Sequence, residues 1–210
     1  MSKKLLRIVV LGLFLITPSH ADDINDFKIE GMSVGDSLLD FFDKDLIEEE
    51  KYDPYSLMYK NNEYVQIGAS NSKAYRLNID SDMYYDLSIV LKTKDSTYKI
   101  YSIGGRIVCK KINFCKKKKT QIVSELKNLF KDNATIRNDD GNHEADPTGN
   151  SKTYSTYFNF KDTKAYVEIS IYDWSQKLND EKKFPDNLRV GLISAEFRKF
   201  LENVQYNKND

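Results

Sequence analysis

The 210-residue chain has no net charge, because 32 Lys and Arg balance 32 Asp and Glu. Without a basic excess it does not read as a nucleic-acid binder, which concentrates positive charge against phosphate. Beyond residue 21 no apolar run is long enough for a transmembrane helix. Histidine is limited to His20 and His143, and cysteine to Cys109 and Cys115. No cysteine closes the first apolar stretch, so a bacterial lipoprotein anchor is not expected. Arginine is scarce as well, six of the 32 basic residues, while Asn, Ile, Tyr and Phe are plentiful. Those abundant types have A/T-rich codons, so the number of tyrosines or lysines by itself argues for no function.

What is present begins with an address. Residues 1–21 read as a secretory signal peptide: Lys3, Lys4 and Arg7 precede an apolar Leu5–Ile16, and Ser19-His20-Ala21 offers a cut before Asp22. The segment left, 22–210, loses three bases and has a formal charge of 29 − 32 = −3. It is long enough for one domain with a core of its own. We expect an exported, periplasmic protein. In that compartment disulfides persist, so Cys109 and Cys115 either close a small loop or leave Cys115 as a buried thiol on a helix face.

Periodicity gives the organisation. Phe27 and Ile29 alternate with polar neighbours as a short strand or extended lead-in, and Val34, Leu38 and Phe41 or Phe42 recur at helical spacing. Asp43 starts a second short helix that ends before Pro54. Tyr64–Ile67, Ala74–Ile79, Tyr84–Lys92 and Tyr98–Cys109 alternate as strands, with Gly104-Gly105 either turning a hairpin or bulging one strand. Asn113 caps a helix to about Lys131 whose apolar face holds Cys115, Ile122, Leu126 and Leu129. Residues 137–153 are polar and turn-rich, and a mobile loop is expected there. Tyr154–Phe160 and Ala165–Ile171 form a hairpin, Leu188–Ile193 a last strand, and Ser194 caps a final helix. The order α-α-β-β-β-β, then α-β-β-β-α, predicts an α+β fold with helices packed on a mostly antiparallel sheet. It is one domain, divisible into halves 27–111 and 113–206 around the 137–153 loop.

Two motifs suggest hydrolysis. Gly31-Met32-Ser33-Val34-Gly35 spells a nucleophile elbow, and Gly35-Asp36-Ser37-Leu38 spells the serine block of the GDSL (SGNH) esterases, which it resembles. Asp140-Gly141-Asn142-His143 matches their Asp-x-x-His. That resemblance implies Ser37 as nucleophile, His143 as base and Asp140 as the group orienting the imidazole. The surroundings disagree: Asn25-Asp26-Phe27-Lys28-Ile29-Glu30 is half charged where a buried parallel strand should be apolar. Four strands follow with no crossover helices, and the glycine and Gly-x-Asn-Asp blocks that supply an oxyanion hole are missing. The same letters form a capping box, Ser33-x-x-Asp36, which stabilises a helix start by roughly 0.5–2 kcal/mol.

Asp139, Asp140, His143, Glu144 and Asp146 do not have the spacing of a calcium loop and read as a solvated stretch. Lys116 to Lys119 suit a polyanion or an anionic membrane surface, or simply water. Tyr172 and Trp174 fall on one side of a strand, opposite Ile169 and Ile171. They form a stacking platform for a sugar or a protein if that side is open, and core if a helix covers it.

Ile29-Glu30-Gly31-Met32-Ser33, Gly35-Asp36-Ser37-Leu38-Leu39, Tyr172-Asp173-Trp174-Ser175 and Asp186-Asn187-Leu188-Arg189-Val190 resemble a group of small exported proteins of marine bacteria. That resemblance implies no activity. The helix-then-strands opening also looks like the outer-membrane assembly lipoproteins of the SmpA/OmlA type, without their lipidated cysteine, which bears on architecture only. We therefore expect a non-catalytic binding or interaction protein with no cofactor and no metal. Its partner would be a protein, an envelope component or a small solute, with an inhibitor or immunity-type protein as a variant of the same reading. The alternative is a GDSL-like serine esterase using Ser37, Asp140 and His143.

Overall fold

The computed structural model describes Ile24 and residues 27–70, 76–131 and 133–206. The expected signal peptide and the beginning of the strand expected at Ala74 lie outside them.

Alternating apolar residues build one sheet from β1 (Leu57–Met58), β2 (Tyr64–Ser70), β3 (Leu77–Asn78), β4 (Asp86–Lys92) and β5 (Ser102–Val108), continued by β6 (Ala134–Asn142), β7 (Lys152–Phe160), β8 (Tyr166–Asp173) and β9 (Asn187–Ile193). The spatial order is β1-β2-β4-β5-β9-β8-β7-β6, antiparallel throughout, with the two-residue β3 parallel to β2. Among the described residues four α-helices accompany it: α1 (Lys44–Lys51), α2 (Ile112–Phe130), α3 (Gln176–Lys182) and α4 (Ala195–Phe200), which runs on as a π-helical turn, Leu201–Gln205. The fold is α+β with a mostly antiparallel sheet. α1 precedes one meander, β1-β2-β4-β5, and α2 precedes another, β6-β7-β8-β9. The last strands of the two meanders meet in the middle, with Gly104 opposite Gly191. One sheet thus spans both halves of the chain. Among the described residues no helix is long and apolar enough to cross a membrane.

Successive strand residues point to opposite faces, and register makes the two faces chemically different. Across one face run Ile67, Ile89, Ile103, Leu192, Val167 and Phe158, each opposite the next and all buried. Ile47 of α1 and Cys115, Ile122, Leu126 and Phe130 of α2 close over that face. The Phe130 ring stands 4.9 Å from Phe160 and 5.7 Å from Phe158. Each such side chain contributes about 1.5–3 kcal/mol on burial. Cys109 and Cys115 are joined in a disulfide that ties the end of β5 to the first turn of α2.

α4 packs on the other face. There Phe197 and Phe200 cover Tyr64, Val90, Tyr101 and Ile193, with Tyr59 and Tyr166 at the margin. The helix is too short to cover more than that corner.

Several expectations are corrected. No α-helix forms over residues 33–42. Gly35, at φ 93°, turns the chain so that its amide donates to Ile100 O at 2.8 Å, and the Leu38 amide donates to Tyr98 O at 2.9 Å. These bonds to the approach of β5 leave only a 3-10 turn, Leu38–Asp40, with Ser37 as its cap. Half of the capping box survives: the Asp36 carboxylate accepts from the Ser33 amide at 2.9 Å, but the Ser33 hydroxyl donates to Phe27 O. Residues 137–142 are not loop but most of β6, paired residue for residue with β7. Their polarity follows from an edge strand exposed on both sides. Gly104-Gly105 neither turns nor bulges. A Cβ on Gly105 would lie 2.3 Å from the Tyr84 ring, so close packing explains the glycine. α2 is capped by Lys111 rather than Asn113, and α3, with β1, was not foreseen.

Candidate functional site

The open face is polar. One row across it reads Gly68, Ser88, Gly104, Gly191, Glu168 and Tyr157; the next reads Ser70, Asp86, Arg106, Arg189, Ser170 and Ser155. Five steps of about 4.8 Å make each row roughly 24 Å long. Two glycines and a serine keep the middle of the first row low. Arg189 lies down over that floor: a Cβ on Gly104 would stand 3.1 Å from Arg189 Nε, and one on Gly191 3.7 Å. Glu168, Tyr172, Tyr59 and Tyr166 lie within electrostatic reach of its guanidinium. Beside it a cleft of about 150 Å³ is lined by Tyr55, Gln66, Gly68, Asp86, Ser88 and Arg106 as well as Arg189.

The electrostatics keep this site charged and donor-rich. Burial acts to lower the Arg189 pKa, but Glu168 and the surrounding phenolic oxygens raise it further, so the cation persists. Burial pushes the Tyr59 and Tyr172 hydroxyls up to about 12, and Tyr166 is raised for the same reason. All three remain protonated donors at neutral pH. The Glu168 carboxylate accepts from Ser170 Oγ at 2.6 Å and from the Tyr172 hydroxyl at 3.5 Å. Arg106 grips Asp86 through Nε at 2.7 Å and through its second nitrogen. Asn187, two positions before Arg189 on the same face, has a buried Oδ1 with no donor among the described residues.

The residues suggested by sequence fall elsewhere or at the margin. The Ser37 hydroxyl donates to Thr97 O at 2.7 Å and accepts from the Leu39 amide at 3.3 Å. His143 Nδ1 accepts from the Ala145 amide, and Asp140 sits opposite Tyr154 on the exposed edge strand. No hydrogen bond joins any two of the three, so no triad is assembled. Tyr172 and Trp174 are half-buried, and among the described residues their ring contacts are with His143, Phe184 and each other rather than with a helix. Trp174 packs on His143 at 4.3 Å and on Phe184 at 5.0 Å, with Tyr172 stacked at 6.1 Å. This aromatic group closes one end of the open face, and Tyr172 belongs to the Arg189 surroundings. Asp146 braces it from below, accepting from the amides and hydroxyls of Thr148 and Ser151 at 2.6–2.9 Å. Ser151 Oγ accepts in turn from the Ser175 amide. Burial lowers the His143 pKa, opposed by Glu144 and Asp146, which favours the neutral ring.

Two of the four consecutive lysines are committed to β7. Lys119 Nζ donates to Tyr154 O at 2.9 Å, and Lys116 Nζ lies 4.8 Å over the Tyr154 ring. Among the described residues no group of three His, Cys, Asp or Glu is placed to hold a metal ion.

Sequence reasoning missed Arg189, Gly191, Glu168, Gln66 and Ser88 as site residues. The available signal was parity. In Leu188-Arg189-Val190-Gly191-Leu192 the apolar residues alternate with an arginine and a glycine, which therefore share the other face. Comparison of the chain with protein-family models, curated proteins and solved structures finds no match.

Proposed function

We propose that this chain is an exported binding protein without catalysis, and that it engages its partner through the open polar face of the sheet. The observation that carries this reading is Arg189, a part-buried cation laid over a glycine floor and surrounded by tyrosines in the centre of an uncovered face. A structural arginine is ordinarily satisfied by a carboxylate, because an unpaired buried charge is costly. Holding one in place beside an open cleft suits recognition. The export element rests on the signal-like residues 1–21 and on the disulfide, which is at home outside the cytoplasm.

The test places a photo-cross-linking amino acid at Tyr55, on the rim of the cleft, and separately at Phe114, exposed on α2. Cross-linking in intact producing cells should yield a discrete adduct from position 55 and none of that size from 114. Equal products from both positions, or none from 55, count against the face. A new N-terminus at Asp22 in the exported fraction is expected, and an uncleaved cytoplasmic chain would refute export. Labelling of Ser37 by a fluorophosphonate, absent in Ser37→Ala, would replace the non-catalytic reading with the esterase.

A further inference from the structure

Five arginines lie among the described residues, and four hold a carboxylate: Arg76 on Asp53, Arg106 on Asp86, Arg137 on Asp139 and Arg198 on Glu202. Arg189 forms no ion pair with any described residue. Glu168 contributes to its electrostatic surroundings without standing in ion-pair contact, and the hydrogen bonds it accepts from Ser170 and Tyr172 both fall on Oε1. The adjoining cleft, about 150 Å³, falls below the roughly 300–1,000 Å³ of sites that enclose small molecules. It has the scale of one inserted side chain. Next to it, the seven residues 52–58 expose Tyr52, Tyr55, Leu57 and Met58 at 77, 81, 52 and 42%. Aromatic residues, Met and Arg are the types enriched in protein–protein contacts.

Resting on the binding reading above, we propose that the cleft receives the carboxylate of an Asp or Glu side chain from a partner protein, held by the Arg189 guanidinium while Tyr55 and Leu57 pack against the partner's apolar flank. A guanidinium matches a carboxylate with two parallel N–H donors. Arg189 already lies against Gly104 and Gly191, which reduces the freedom it loses on contact. A protein partner accounts for the acidic contact and the exposed apolar rim together, which a free small carboxylate does not.

The experiment pans a random 12-residue peptide library against the folded chain and measures the recovered peptides by fluorescence anisotropy. Recovered peptides should share an Asp or Glu beside an aromatic or aliphatic residue. Changing that acidic residue to its amide should weaken binding at least tenfold, as should Arg189→Gln. Gly104→Ala, which pushes a methyl toward Nε, should also weaken binding while leaving the melting curve almost unchanged. Tyr55→Ser, at an exposed position that cannot unfold the chain, should weaken binding severalfold. Peptides that lose affinity with Tyr55→Ser but tolerate the acid-to-amide change overturn the carboxylate and leave the face standing. Peptides indifferent to both Tyr55→Ser and Arg189→Gln, or a failure to enrich any peptide, overturn the carboxylate and the face together.

Discussion

The two faces of the sheet are made from the same strands, alternate residue by alternate residue, yet they obey different constraints. Beneath α1 and α2 the constraint is volume. Ile67, Ile89, Ile103, Leu192, Val167 and Phe158 form a continuous apolar row, and where that layer becomes tight Gly105 yields its side chain to Tyr84. On the opposite face the constraint is height. Gly104 and Gly191 yield theirs so that Arg189 can lie flat. Neighbouring glycines in one strand therefore serve opposite purposes, one accommodating core and the other exposing a charge. Glycine in a strand interior often marks such a close approach, but which approach it marks depends on the face it points to.

The comparison can be broken most forcefully from the covered side. Phe130→Ala should cost about 3–5 kcal/mol in urea unfolding, because it empties the contact among α2, β7 and the N-terminal segment at Phe27. Replacing Cys109 and Cys115 together by Ser should cost about 2 kcal/mol, the amount expected when so short a loop is released. The same loss should appear on reduction of the wild-type chain. The adjacent glycines sharpen the contrast. Gly105→Ala meets the Tyr84 ring and should cost about 1–3 kcal/mol, whereas Gly104→Ala meets the flexible end of Arg189 and should stay within about 0.5 kcal/mol. Equal losses at the two positions would dissolve the distinction between a packed face and an open one.

The smallest effect depends on pH. Hydrogen bonds from Ser151 and Thr148 hold the Asp146 carboxyl below its ordinary range. A group lowered on folding stabilises the fold above its unfolded pKa, and that contribution fades as pH falls toward the folded value. Asp146→Asn should therefore melt earlier than the wild type at pH 7 and at pH 5. The gap should narrow below about pH 4, the ordinary range of an aspartate. A gap that persists in acid would mean that the turn depends on the side chain's shape rather than its charge.

Much of this fold was legible in alternation. β2, β4, β7, β8 and β9 could be placed because their apolar residues recur at period two, and α2 because Cys115, Ile122 and Leu126 recur at helical spacing. β6 could not. Arg137-Asn138-Asp139-Asp140-Gly141-Asn142 is an edge strand with little to bury, so its side chains carry no pattern and only the neighbouring β7 defines it. The start at residues 33–42 misled for the converse reason. Its helical spacing is real, but Gly35, Ser37 and Leu38 find better partners in the backbone near Tyr98 and Ile100, some 60 residues away. The open face was the least legible. Tyr172 was visible as a same-side partner of Trp174, but Arg189 becomes a site only when β9 is placed between β5 and β8, and no local pattern states that neighbourhood.

That placement bears on how the molecule comes into being. β9 is the last strand among the described residues and stands in the middle of the sheet, pairing with β5 across more than 80 residues of sequence, as Gly104 with Gly191 shows. A growing chain can form the first meander early, but its β5 edge stays open until β9 arrives. Contacts of such long range slow folding and leave strand edges available for wrong pairings in the meantime. Arg189 rides on that late strand, so the cleft exists only after the sheet has closed. The Tyr55 rim and the Arg189 charge are therefore brought side by side only when folding has finished.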